Sequence, residues 1–154
     1  MIAYGLALMI GLVAGLRAMT GAAAAAWAAY LGHVPVDGTW LGWLASPWAV
    51  GILTALALGE VVTDQLPMTP SRTVPVQFGT RIVVGAVAGA TFGLAGGSAV
   101  IGAVAGAVGA VAGTLGGAGA RARLAAYLGR DRPAALIEDA AAVVLAAAAV
   151  LTLK

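Results

Sequence analysis

The chain lacks cysteine altogether and has few charged side chains. Of its 154 residues, 9% are charged and 62% are hydrophobic, and the net charge is only +2. The absence of cysteine excludes disulfides, thiolate metal sites and cysteine nucleophiles. A soluble domain carries about 25% charged residues, so the composition also excludes a cytosolic enzyme, a nucleic-acid-binding protein and a disordered linker.

Enzymatic motifs are missing as well. The sequence contains no nucleophile elbow, P-loop, HExxH motif or dinucleotide-binding fingerprint, so we predict neither an enzyme nor a cofactor. The only histidine, His33, has no second histidine with which to share a transition metal. An enzyme acting on lipid headgroups at an arginine-rich face is the weakest alternative.

Long apolar runs make up most of the sequence. They lie at residues 2–20, 47–66, 79–97, 99–119 and 134–153. Each is close to the roughly 20 residues that a helix needs to cross the hydrocarbon core of a bilayer. We therefore expect an all-α membrane protein, a single domain over residues 1–154 with about five transmembrane helices. The first run is interpreted as a retained span, because no basic residue precedes it as in a signal peptide.

Proline and glycine mark the ends of these runs. Ser46 and Pro47 form a helix start, and Pro67 closes the same helix. Residues 67–77 hold three prolines and predict a stiff, extended connection. The short Gly-Gly-Ser linker at residues 96–98 predicts a tight antiparallel hairpin between the third and fourth runs.

The positions of the arginines predict the orientation. Arg72 and Arg81 flank the second-to-third connection. The fourth-to-fifth connection is flanked by Arg121, Arg123, Arg130 and Arg132. With five spans both connections face one side, which the positive-inside rule assigns to the cytoplasm. We therefore expect a multi-pass protein of the inner (plasma) membrane, with a cytoplasmic N-terminus and Lys154 outside.

The connection at residues 32–46 has the composition of an external loop, because it contains no Lys or Arg. Aromatic residues gather in it and beside it, at Trp27, Tyr30, Trp40, Trp43 and Trp48. We interpret them as an interfacial aromatic belt, with a ligand cage as the alternative.

Two segments of the chain resemble each other. GLVAGLRAMTGAAAAAWAAYLG begins at Gly11, and GAVAGTLGGAGARARLAAYLG begins at Gly109. Three spans separate them, so the second copy would cross the membrane in the opposite sense. This predicts an inverted repeat, with units 1–78 and 99–154 and with the first and fourth helices broken, as in transporters. A chance similarity between two Ala/Gly-rich helices is the alternative.

Glycines recur at helical spacing in the third and fourth runs. They are Gly85, Gly89, Gly93 and Gly97, followed by Gly102, Gly106, Gly109, Gly113 and Gly117. Such faces let helix backbones approach closely in lipid, where apolar burial does not drive association. We expect them to pack helices, against either a neighbouring span or a second protomer. The functional alternative is a pore lined by backbone carbonyls.

A charged residue within a span needs a partner, water or a role. Arg17 lies deep in the first run, in GLRAMTG between Gly15 and Gly21. A helix break there would place backbone N–H groups beside the guanidinium, with Thr20 capping the following segment, and would form an anion site. Alternatively, Arg17 reaches the interface or pairs with an acid.

Acidic residues gather toward the predicted cytoplasmic side. Glu60 and Asp64 share a face of the second run, and Glu138 and Asp139 lie near the start of the fifth. The arginines expected near them are Arg72, Arg81 and Arg121. Paired with arginine, these acids would lock the helix ends. Facing a cavity, they would relay protons or bind a hard cation such as Mg²⁺ or Ca²⁺.

Two motifs resemble a known family. The first is GLRAMTG at residues 15–21, and the second is formed by Glu60, Asp64, Pro67, Pro70, Arg72 and Thr73. Both resemble a family of small bacterial integral membrane proteins defined only as the domain of unknown function numbered 4126. The resemblance extends over most of the chain, through Arg81 and the Glu138–Asp139 pair. It implies a multi-spanning membrane protein with these polar positions as its signature, and no established activity.

These observations favour a small permeation protein, a transporter or channel for a small solute or ion, acting in the bilayer as a homo-oligomer with a dimer favoured. Its site would lie at the midplane, between helix breaks near Arg17 and within Gly113–Gly119. Its pathway would be lined by Arg17, Thr20, Glu60, Asp64, Arg72, Arg81, Glu138 and Asp139. The alternative is a non-catalytic scaffold or lipid-binding protein, in which the charged residues are paired and dry.

Overall fold

The computed structural model describes residues 1–64 and 73–153. Over these residues the regular secondary structure is all helical, with six α-helices and no strand, as predicted for the fold class. The helices are α1 Ile2–Leu16, α2 Ala18–Tyr30, α3 Pro47–Thr63, α4 Pro75–Leu94, α5 Ala99–Leu128 and α6 Asp131–Thr152. A short 3-10 helix, Gly42–Ala45, precedes α3. Of these helices, α5 and α6 are long and apolar enough to cross a membrane, and α1 and α3 are shorter apolar helices.

Serine side chains cap the N-termini of two helices, α3 and α5. Ser46 Oγ accepts a hydrogen bond from the Ala49 backbone nitrogen at 3.1 Å, and Pro47 takes the first helical position. The first N–H groups of a helix have no partner within the helix. Ser46 supplies a partner for one of them, and Pro47 has no N–H that needs one. Ser98 Oγ accepts in the same way from the Ile101 nitrogen at 3.3 Å. The helix start predicted at Ser46 and Pro47 is therefore confirmed.

Glycine permits the two tight turns around α5. Gly97 has a φ of 88° between α4 and α5, and Gly129 has a φ of 67° at the end of α5. Residues with side chains rarely adopt a positive φ, so glycine fits both positions. The hairpin predicted at residues 96–98 is present, and α4 and α5 pack against each other in opposite directions.

The first predicted span is divided into two helices. The helix α1 ends at Leu16, Arg17 is extended with φ −142° and ψ 102°, and α2 begins at the next residue. A Cβ atom on Gly21 would contact Ala14, although these residues would lie about 10 Å apart along a continuous helix. The chain therefore turns back at Arg17. The break predicted there is present, but the second helix was missed even though alanine is the best helix former.

Consecutive helices alternate in direction around the bundle. The Tyr4 hydroxyl near the start of α1 donates to the Gly96 carbonyl at 2.6 Å, beside the α4–α5 turn. Between α2 and α3, Trp27 Nε1 donates to Thr54 Oγ1 at 3.1 Å, so the late part of α2 lies beside the middle of α3. His33 Nδ1, just after α2, lies 3.0 Å from the carbonyl oxygen of Val150 in α6. The start of α1 and the end of α6 therefore lie at the same end of the bundle.

The bundle has two chemically different ends. At the tryptophan end lie Trp27, Trp40, Trp43 and Trp48, with both ends of the described chain. At the arginine end lie Arg17, Arg81, Arg121, Arg123, Arg130 and Arg132. The five-span arrangement placed the two chain termini on opposite sides. Six alternating helices place the start of α1 and the end of α6 on the same side, because the turn at Arg17 adds one reversal.

The break predicted within Gly113–Gly119 is absent, because α5 is continuous from Ala99 to Leu128. Glycine costs only about 1 kcal/mol per residue relative to alanine inside a helix, so packing against neighbours overrides it. Thr114 Oγ1 also bonds back to the Ala110 carbonyl at 2.8 Å within the helix. The two segments that resemble each other therefore differ in structure: the first is broken at Arg17, and the second lies in one helix.

Glycines bring three helices into backbone contact. A Cβ atom on Gly89 would overlap the backbone of Gly102 and Gly106, and one on Gly106 would overlap Gly85. The other glycines that pack α5 against α4 or α1 include Gly11, Gly15, Gly93, Gly109 and Gly113. Gly113 contacts α1 rather than α4. The partners of these glycines are therefore neighbouring helices of the same chain, and we call α1, α4 and α5 the glycine-packed unit.

Candidate functional site

The break at Arg17 creates two helix ends inside the bundle. The last carbonyls of α1 and the first N–H groups of α2 have no partners within their own helices. Buried backbone groups must find other partners, because leaving one unpaired costs about 1–3 kcal/mol. The side chains that supply these partners define the site.

Glu60 caps the start of α2. Its two carboxylate oxygens accept hydrogen bonds from the backbone nitrogens of Ala18 and Met19, each at 2.9 Å. A carboxylate there also complements the positive end of the helix dipole. Thr20, predicted as the cap, instead lies within α2, and no side-chain cap is formed by the α2 sequence itself. The predicted anion site is therefore already occupied by the protein's own carboxylate.

Arg81 caps the end of α1 from the opposite direction. Its Nη1 atom donates to the carbonyl oxygens of Gly15 at 3.0 Å and Leu16 at 2.8 Å. Thr114 Oγ1 in α5 lies 3.2 Å from the same Gly15 oxygen. Positive charge at a helix C-terminus complements the negative end of its dipole. The two broken ends are thus capped by side chains of opposite charge, from α3 and α4.

Arg17 itself connects two further helices. Its side chain is fully buried, with Nη1 donating to Asp64 Oδ2 at the end of α3 and Nη2 donating to Asp139 Oδ1 in α6. Guanidinium groups suit such sites because their donors are fixed in one plane. Sequence analysis left open whether Arg17 reaches the membrane interface or pairs with an acid. In the structure, Arg17 pairs with two acids.

These contacts form one charged cluster, which consists of Arg17, Arg81, Glu60, Asp64 and Asp139. Arg81 Nη2 lies 3.8 Å from Glu60 Oε1 and 4.0 Å from Asp64 Oδ2, which links the two arginine sites. The cluster holds two guanidinium groups and three carboxyl groups. With every group ionised its formal charge is −1.

Arg17 Nε and Asp139 Oδ2 are buried polar atoms of the cluster that lack a hydrogen-bond partner in the described part of the chain. The Asp139 residue is only 7% exposed, so bulk water does not reach most of it. Buried polar atoms in native proteins are nearly always hydrogen-bonded, so each exception needs an explanation.

Glu138 belongs to a second group of charges. Arg121 Nη1 lies 3.8 Å from Glu138 Oε2, and the same guanidinium makes two hydrogen bonds with Asp131, at 2.6 and 3.0 Å. Asp131 was not among the predicted site residues, although an acidic residue in the first turn of a helix favours that helix end and could have indicated it. Arg72, also predicted for the site, lies outside the described residues. Of the other residues predicted for the site, Thr20 and Glu138 lie outside the charged cluster. The rest meet in it, namely Arg17, Glu60, Asp64, Arg81 and Asp139.

Metal binding receives no support from the side chains. Among residues 1–64 and 73–153, no group of three or more His, Cys, Asp or Glu residues is arranged to hold a metal ion. The carboxyl groups of the cluster instead bond to arginine and to backbone N–H groups.

The fold and the charged cluster define an all-helical protein in which the turn between α1 and α2 is fixed by buried ion pairs. The chain matches the model of the family described as a domain of unknown function, DUF4126, over residues 4–152. It belongs to that family, as the motifs around Arg17 and Glu60 predicted. No curated protein and no solved structure matches it significantly.

Proposed function

We propose that this is an integral membrane protein that conducts or carries a small ion or solute, with the charged cluster as the polar part of its pathway. One observation carries the proposal: five charged side chains meet at the break of a helix in a chain that is otherwise strongly apolar. Ionisable groups inside a membrane are costly, and they are typically found where ions, protons or substrates pass.

The surface of the bundle supports a membrane location. Large apolar side chains face outward along α5, with Val100, Val104 and Val108 between 56% and 73% exposed. The positive-inside rule then places the arginine end in the cytoplasm and the aromatic belt at the outer surface. This orientation puts the start of α1 outside, the reverse of the orientation predicted from five spans.

We infer a depth for the charged cluster nearer the membrane boundary than the midplane position that we predicted. Thr114, which contacts the α1 terminus, lies about 22 Å along α5 from the start of that helix. The hydrocarbon core is about 30 Å thick, so the cluster would lie nearer the cytoplasmic boundary. In that position the cluster is suited to gate or couple transport from the cytoplasmic side.

A homo-oligomer, with a dimer favoured, remains part of the proposal. The outer face of α3 is apolar and exposed: Ile52 is 58% exposed, Leu58 66% and Val62 64%. A second copy or lipid would cover this face in the membrane. Cross-linking of single cysteines placed on α3 tests the dimer, since the chain has no cysteine of its own.

Flux through proteoliposomes tests the proposed function. The purified protein is reconstituted with a trapped pH dye, and proton, K⁺ and Cl⁻ gradients are imposed in turn. We expect at least one gradient to dissipate faster than in empty liposomes, and Asp139→Asn to slow that flux because it changes the cluster charge. The matched control is Asp131→Asn, a neighbouring acid on the same helix outside the cluster, and its flux should equal that of the unaltered chain.

A non-catalytic scaffold is the second candidate, favoured by the fact that both helix ends at the break are capped internally. Single cysteines at residues 16–21 distinguish the two candidates. Labelling by a membrane-impermeant maleimide would show that water reaches the break, which permeation requires. If these positions stay unlabelled from both sides, and no gradient is dissipated, the scaffold replaces the permeation protein.

A further inference from the structure

An apolar groove lies between α2 and α6. It has a volume of about 340 Å³ and is open along one side. Its walls include Thr20, Ala24 and Trp27 from α2 and Val143, Ala147 and Val150 from α6. The glycine-packed unit takes no part in these walls, and of the residues predicted to line the pathway only Thr20 belongs to them.

The groove ends close to the charged cluster. On α6, Asp139 precedes Val143 by four residues and Val150 by eleven, so all three share one face of the helix. On α2, Thr20 follows Arg17 by three residues. The Arg17–Asp139 ion pair therefore lies about one helical turn beyond Val143, next to the arginine end of the groove and outside its walls.

The polar atoms at this end of the groove point to a hydrogen-bond donor. Asp139 Oδ2 is buried and has no partner in the described part of the chain, and it can only accept while Asp139 is ionised. The cluster around it carries one more carboxyl group than guanidinium group. Charge and hydrogen-bonding capacity therefore both favour a cationic donor over an anionic or neutral group.

The apolar part of the groove indicates the shape of the rest of the ligand. From Thr20 to Leu31, the α2 wall rises about 16 Å, and alanine forms much of both walls. A long, narrow and apolar space of this kind matches one linear aliphatic chain, and ligand pockets combine such surfaces with a few placed polar groups.

We propose that this groove binds a single-chain amphiphile with a protonated amine headgroup, the amine donating to Asp139 Oδ2 and the aliphatic chain lying between α2 and α6. The proposal rests on the proposed function, for which it names the substrate class. Binding itself is measured without transport, so the two can fail separately.

Quenching of Trp27 measures occupancy, because this side chain lines the groove. The protein is prepared in phosphatidylcholine nanodiscs with Trp40, Trp43 and Trp48 each replaced by Phe. The probes are dodecylamine, dodecanol and dodecanoate, each carrying bromine on the chain as the quencher. We expect the amine to bind at least about tenfold more tightly than the alcohol, as a charge-assisted hydrogen bond provides, and the carboxylate to bind least.

Two adjacent alanines on α6 supply a matched pair of variants. Ala147 lines the groove and Ala148 does not, although both are exposed. Ala147→Phe should abolish quenching by every probe, and Ala148→Phe should leave it unchanged. Asp139→Asn should remove the preference for the amine over the alcohol.

Each outcome bears on the proposal. Equal affinities for the amine and the alcohol in the unaltered chain would overturn it and leave a groove that holds only lipid chains. Equal quenching in the Ala147→Phe and Ala148→Phe variants would also overturn it. If Asp139→Asn does not fold, the headgroup comparison and the alanine pair still decide. Selective amine binding without flux would refute only the proposed function, and flux without amine binding would refute only this inference.

Discussion

The glycine-packed unit and α3 are held in the bundle by different interactions. In the glycine-packed unit, Gly89, Gly102 and Gly106 bring backbones so close that no Cβ atom would fit. In α3, the buried residues are Ala49 and Val50, both near its start. Helices of an apolar protein can thus be fixed either by close backbone packing or by a few polar contacts.

Polar contacts hold the rest of α3 in place. Near its end, Glu60 and Asp64 bond to the α1–α2 break, and in its middle Thr54 bonds to Trp27. The helix that supplies two of the three carboxyl groups of the charged cluster is therefore also the one with little buried apolar surface. Changes at the cluster should move α3 and leave the glycine-packed unit intact.

The largest effect is expected from Gly106→Val in the glycine-packed unit. The added side chain would overlap the backbones of Gly85 and Gly89. A backbone cannot rotate away as a flexible side chain can, so α4 and α5 could not pack together at this distance. We expect this variant to lose its monodisperse peak in size-exclusion chromatography. Gly116→Val on the same helix faces open space and should elute normally. Normal elution of both variants would contradict the packing.

The next largest effect is expected from Arg17→Ala. It leaves Asp139 without its guanidinium partner and leaves Asp64 with only Arg81, 4.0 Å away, as an ion-pair partner among the described residues. Breaking a buried ion pair costs about 3–5 kcal/mol. Thermal unfolding in detergent should show a clear fall in the melting temperature. Arg123→Ala, at an exposed arginine on α5, is the control and should change it little. Equal melting temperatures for the two variants would mean that the cluster does not stabilise the break.

A smaller effect is expected from Glu60→Ala, which removes the cap of α2. Losing a helix cap costs about 0.5–2 kcal/mol, and the exposed amides should exchange faster. Hydrogen–deuterium exchange should increase at Ala18 and Met19 and stay unchanged in α5. Asp37→Ala, in an exposed loop, is the control. Unchanged exchange at both amides would show that another group caps the helix.

The smallest effect is expected from Trp27→Phe, which removes the hydrogen bond to Thr54. A single neutral hydrogen bond contributes about 0.5–1.5 kcal/mol. Combining it with Thr54→Val in a double-mutant cycle isolates the pair from the lost aromatic surface. Additive losses in melting experiments would show that this contact does not fix the middle of α3.

Local signals in the sequence were sufficient for several features of the fold. Ser46 and Pro47 mark the start of α3, and the Gly-Gly-Ser linker at residues 96–98 marks the α4–α5 turn, because capping and positive φ depend on a few neighbouring residues. Arg17 marked the break, because a permanent charge within an apolar run needs special surroundings. The family followed from the same motifs.

The interactions across the bundle were beyond these local signals. The extra reversal at Arg17 depends on whether α2 packs back against α1. The sequence around Gly113–Gly119 resembles the sequence around Arg17, yet α5 is continuous there. The partners of Arg17 come from residues 47 and 122 positions away, and no spacing rule connects them. Five of the eight residues predicted for the pathway meet in the charged cluster, but no sequence pattern predicted that Glu60 caps one helix and Arg81 the other.

The sequence by itself determined the all-helical class, the starts of α3 and α5, the polarity of the arginine and tryptophan ends, and the place of the break. These follow from side-chain chemistry and from backbone preferences that act over a few residues. The tertiary structure decided the number of helices, the helix directions and the pairing within the charged cluster. Those features depend on which distant groups satisfy the backbone and the charges once water is excluded.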